Sequence, residues 1–138
     1  MKQLRFLFAV VLMAFLSSAS FAQSTTVTVN NNTIASQNFV CHFPGYTVHI
    51  NIAANTNATY SASTSSADIM NHMDGSDNPP PPHQPVTYNA NNVSTLANGG
   101  IRVANVTIPG PPFTSATNTV TVHYMQAGSL VNYTVDFN

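Results

Sequence analysis

Between Asp68 and Pro85 the chain reads DIMNHMDGSDNPPPPHQP, and this stretch gathers most of the side chains capable of metal or acid–base chemistry. Met70, His72 and Met73 form an M-x-H-M cluster, Asp74 and Asp77 follow it, and His83 lies beyond four prolines. A thioether beside an imidazole is a soft ligand set of the kind that favours Cu(I). On an extended backbone Met70 and His72 project to one side, and a proline run with fixed φ angles could hold His83 at a set distance. His123 and Met125 make a second pair two residues apart. A copper site on Met70, His72, Met73, His83, His123 and Met125 is therefore one expectation. The opposing expectation is a polar, Pro-rich loop at 66–85 with no cofactor, because no spacing here matches a known ligand signature.

Other chemistries have less to stand on. A blue-copper centre needs a Cys followed closely by His and Met, late in the chain. Cys41 lies early and no Met follows it before Met70. The segment DGSDN, residues 74–78, resembles a calcium loop only faintly, since it lacks a spaced third carboxylate and a terminal Glu; an Asx-rich turn is the simpler expectation. Nucleophilic catalysis requires a Ser or Cys with a His and an orienting carboxylate, and no G-x-S-x-G elbow or comparable motif is present. Cys41 and His42 are neighbours on an expected strand, so they point to opposite faces. Asp74 and Asp77 are too close in one loop to flank a glycosidic bond. No enzyme activity is expected.

The elements that must position these residues show period-two alternation after residue 24. TTVTV places Val27 and Val29 on one face, and NFVCHF places Phe39, Cys41 and Phe43 together. Cys41, the single cysteine, is thereby expected as a buried small hydrophobe. In YTVHINI, Tyr46, Val48, Ile50 and Ile52 alternate with Thr47, His49 and Asn51. NATYSAS is a weaker strand, and PVTYNA a short edge strand with Pro85 at its start. In IRVANVTI the apolar phase changes, and a bulge near Ala104 or Asn105 would return Ile101, Val103, Val106 and Ile108 to the core. NTVTVHYM and LVNYTVDF close the chain as a hairpin around QAGS. Roughly six to eight short strands without a convincing helix indicate an all-β antiparallel β-sandwich, an immunoglobulin-like Greek key, with an open β-barrel as the alternative.

The N-terminus has the three parts of an export signal: Lys2 and Arg5, the apolar run Phe6–Leu16, and a small-residue segment ending at Ala22. Cleavage is expected after Ala22, leaving residues 23–138 as one domain. The apolar run is short for a bilayer span, which needs about 20 residues, so no membrane span is expected in the mature form. Past the signal, Arg102 is the only Lys or Arg, against Asp68, Asp74, Asp77 and Asp136, so one cation faces four anions for a formal −3. Nucleic acid binding needs a cationic footprint, and none exists. The remaining expectation is a secreted or periplasmic binding module. Its partner would be a protein or glycan outside the cytoplasm, or further copies of itself as a homo-oligomer. The 66–85 segment, with Asp68, Asp74 and Asp77, is the expected binding loop, because long loops on rigid sheets often carry function. The N-terminal strand with Val27 and Val29 is a candidate for pairing with another subunit.

Overall fold

A computed structural model of the chain describes residues 23–110 and 114–138, and the expected export signal at 1–22 lies outside the described residues. Ten strands follow in order: β1 (Ser24–Asn31), β2 (Ser36–Phe43), β3 (Tyr46–Ile52), β4 (Thr56–Ser63), β5 (His72–Asn78), β6 (Thr87–Ala90), β7 (Ile101–Val103), β8 (Asn105–Thr107), β9 (Val120–Ala127) and β10 (Leu130–Phe137). One 3-10 turn, Val93–Thr95, is the only helical element among the described residues.

The strands form two five-stranded sheets, β4-β1-β10-β9-β7 and β3-β2-β5-β6-β8, packed face to face. Neither closes into a barrel, and the sandwich expected from the alternation is what forms. Every pairing is antiparallel except that of β1 with β10, which is parallel. Local chemistry explains the turns. Phe43 pairs with Tyr46 across the two-residue loop Pro44–Gly45, and Gly45 takes the positive φ of 84° that the turn requires. Ala127 pairs with Leu130 around Gly128, φ 61°.

The inward rows of the two sheets make the core. Val27, Val29, Val120, Val122, Val131, Tyr133, Val135 and Phe137 meet Phe39, Cys41, Phe43, Ile50, Ile52, Met73, Tyr88 and Ala90. Phe39 and Tyr88 each lie against Phe137, with centroids 5.4 and 5.3 Å apart, and Phe43 meets Tyr133 edge-on at 6.2 Å. Cys41 is fully buried, as its alternation requires.

Four expectations are corrected. The 66–85 segment is not one loop, because its residues 72–78 form β5, an interior strand between β2 and β6. Its inward residues are Met73, Gly75 and Asp77, a row with only one obviously apolar member, so hydropathy alone conceals the strand. The change of phase in IRVANVTI is not a bulge: β7 belongs to one sheet and β8 to the other, and the chain crosses between layers at buried Ala104. Ile101, Val103 and Ile108 consequently face solvent. β6 is also interior, with Pro85 outside it rather than at its first residue. Finally, β1 has β4 on one flank and β10 on the other, so Val27 and Val29 lie in a strand whose pairing is completed within the chain.

Candidate functional site

Interior position of β5 decides where its side chains go. His72, Asp74 and Ser76 point to the outer face of the second sheet, while Met73 and Asp77 point into the core. The register of β2 on β5 sets His42 directly opposite His72 and Val40 opposite Asp74. The result is a cluster of two imidazoles and one carboxylate on neighbouring strands. His42 Nε2 lies 2.7 Å from Asp74 Oδ1, and the two imidazole rings stack with centroids 4.1 Å apart and planes 11° from parallel. One potential ligand atom from each of His42, His72 and Asp74 lies within 4.8 Å of the other two. The side chains are half-buried, with 30% of His42 and 48% of Asp74 exposed, so the cluster is open to solvent.

Gly75 lets the strands meet this closely. A Cβ there would stand 2.5 Å from both the carbonyl oxygen of Asn38 and the Cβ of Phe39, so only glycine fits the approach of β5 to β2. Beside the cluster runs an open groove of about 420 Å³ along β5, β6 and β8, lined by Asp74, Ser76, Thr87, Asn89, Asn105 and Thr107 among others. Asn89, the cross-strand neighbour of Asp74, keeps its side-chain oxygen buried with no hydrogen-bond partner among the described residues.

The residues singled out in the sequence go to different places. Met70 and Met73 are fully buried in the core, so their thioethers fill space between the sheets. The Met70 N–H donates to the Tyr133 hydroxyl at 2.8 Å, which satisfies a buried phenol. His83 Nδ1 lies 3.1 Å from the Thr114 carbonyl, away from the imidazole pair. His123 and exposed Met125 belong to β9 in the first sheet, where His123 Nε2 pairs with Asp136 Oδ2 at 3.0 Å. The six candidate copper ligands therefore do not share one point, although His72 does join a cluster.

Asp68, Asp74 and Asp77 separate as well. Asp74 and Asp77 point to opposite faces of β5, which leaves DGSDN without a common cation position. Asp77 Oδ1 accepts the Val86 N–H at 2.7 Å inside the core. Asp68 ties its segment to the first sheet: its N–H donates to Thr25 Oγ1 at 2.8 Å, and its carboxylate accepts the Tyr46 and Ser66 hydroxyls. Burial and the Asp68 carboxylate push the Tyr46 hydroxyl up to about 12. These groups border a second open cleft of about 780 Å³ between β3 and β4.

His42 is the site residue that the sequence reading missed. Alternation in NFVCHF already turned it outward, but its partner lies thirty positions away and only the β2–β5 register brings the two rings together. No protein-family model, curated protein or solved structure matches this chain.

Proposed function

We propose that this chain is an exported, non-enzymatic binding module that acts outside the cytoplasm by adding strands at its open sheet edges, with a second copy of itself as the partner. The observation that carries the reading is β4. It is eight residues long, occupies the outer flank of its sheet, and contains neither a charged residue nor a proline. An exposed edge of unpaired N–H and C=O groups is a template for pairing, which soluble proteins usually block with Lys, Pro or a bulge. β4 has one irregularity, at Ala62 between the pairs Thr25–Ser63 and Thr26–Ser61, and from Thr56 to Ser61 its register on β1 is unbroken. Here the neighbouring edge β3 is also long and uncharged apart from His49. The opposite edges, β7 and β8, have only three residues each. The side bearing β3 and β4 is therefore the one suited to backbone pairing, and its polar Asn, Thr and Ser rows suit either a sister chain or a glycan.

Sedimentation or light scattering across a concentration series tests this. Association should appear at low salt and persist in 1 M salt, since charge contributes little. Substituting Asn57→Lys and Ser61→Lys, both exposed on β4, should return the protein to monomer by setting like charges along the edge. A wild-type monomer at every concentration sinks the self-pairing reading, and retention of that monomer on a glycan array would transfer the role to sugar binding.

A further inference from the structure

We propose that the outer face of the β3-β2-β5-β6-β8 sheet binds one divalent transition-metal ion between His42, His72 and Asp74. This goes beyond strand pairing at β4 and does not depend on it, because the three residues lie on interior strands rather than at an edge.

The donor set is two imidazole nitrogens and one carboxylate oxygen, the borderline combination suited to Zn²⁺, Ni²⁺ or Cu²⁺ rather than to Cu(I) or Ca²⁺. The three donor atoms are already within 4.8 Å of one another, so no strand has to move far to enclose an ion. The backbone is also held: β2 is paired on both flanks by β3 and β5, and β5 by β2 and β6. A site on interior strands places its ligands more firmly than one on a loop.

Two features of the cluster are poorly explained by a surface hydrogen bond alone. Such a bond needs one imidazole, and His42 supplies it to Asp74. The second ring, His72, lies face to face with the first and makes no side-chain hydrogen bond among the described residues. Each ring carries one in-plane nitrogen lone pair, and rotation of the two side chains out of the stack turns both toward one cation. No ammonium or guanidinium competes for Asp74: Arg102 is the only Lys or Arg among the described residues, and its guanidinium donates to the Asn92 carbonyl and Thr95 hydroxyl.

The half-exposed carboxylate leaves the remaining coordination positions open to solvent, so the ion should be exchangeable.

Calorimetric titration of the untagged protein with Zn²⁺ should give one ion per chain with a Kd of about 1–10 µM. His72→Gln and Asp74→Asn should each weaken binding about tenfold or more, whereas His123→Gln, on the other sheet, should bind as wild type. Electron paramagnetic resonance of the Cu²⁺-loaded protein supplies a readout that a purely structural role would not move. The spectrum should carry two-nitrogen hyperfine coupling in the wild type and one-nitrogen coupling in His72→Gln. The proposal is overturned if no saturable Zn²⁺ site tighter than about 100 µM exists, if His123→Gln loses binding equally, or if the wild-type Cu²⁺ spectrum shows fewer than two imidazole nitrogens. The wild-type spectrum decides alone should a variant fail to fold. Oligomer formation is unaffected by any of these outcomes, so failure here leaves the strand-pairing reading where it stood.

Discussion

Gln37 and Asp77 stand opposite each other across β2 and β5, both turned inward and both almost wholly buried. Asp77 Oδ1 accepts the Val86 N–H, but Asp77 Oδ2 and Gln37 Oε1 have no hydrogen-bond partner among the described residues. Two neighbouring acceptors without a donor are costly at this depth. Asp77→Asn keeps the acceptor for Val86 and introduces an amide donor beside Gln37, so it should melt at or above the wild-type temperature. Asp77→Ala removes the acceptor and strands the Val86 N–H, at a cost of about 1–3 kcal/mol. Thermal unfolding of both variants checks the pair. Equal destabilisation would mean that the carboxylate charge itself is needed. At this scale the sequence was only partly legible. Alternation correctly sent Cys41, Tyr124 and Tyr133 inward. It could not reveal that Asp77 is core while Asp74 is surface, because HMDGSDN shows no alternation of apolar and polar side chains from which its faces could be read.

Among the elements, β5 depends most on a single residue. Gly75 faces Phe39, and an added Cβ would collide with backbone and side-chain atoms at 2.5 Å. Gly75→Ala should therefore force β5 away from β2 and cost about 1–3 kcal/mol, measurable as a lower denaturant midpoint. It should also weaken Zn²⁺ binding, since His42 and His72 are carried by the separated strands. Wild-type stability in this variant would show that the strands are not so closely apposed. Strands β1, β3 and β10 were readable because Val, Ile and aromatic residues alternate with Thr, Asn and His. β5 was hidden because Gly, Asp and Ser are disfavoured in strands, and its stability comes from neighbours on both flanks rather than from its own composition. The crossing at Ala104 was equally hidden: a phase change reads the same whether a bulge or a change of sheet produces it. The site inherits this limit. His-x-Asp at 72–74 was visible as residue types, but its partnership with His42 is a property of register.

Across the whole molecule, near absence of charge leaves stability to burial, and that gives a definite pH response. Burial, with a smaller contribution from Asp74, raises the Cys41 thiol from 9.0 to about 12. Burial and Asp68 raise the Tyr46 hydroxyl from 10.0 to about 12, and burial drives Tyr88 and Tyr133 upward in the same direction. Raised folded-state values mean that the folded chain holds these protons more tightly than the unfolded chain. Their stabilising contribution is complete below about pH 9 and is lost as pH rises toward 12. Melting temperature should thus decline from pH 9 upward, and a flat profile to pH 12 would contradict the burial of these groups. The same packing makes amide hydrogen exchange across the full chain the most direct test of the architecture, because β5 is the strand on which the sheet, the imidazole pair and the groove all depend. Amides of residues 72–78 that bond to β2 and β6 should exchange as slowly as those of β2 and β10. Exchange of that segment at the rate of an unstructured loop, with β2 still protected, would contradict it.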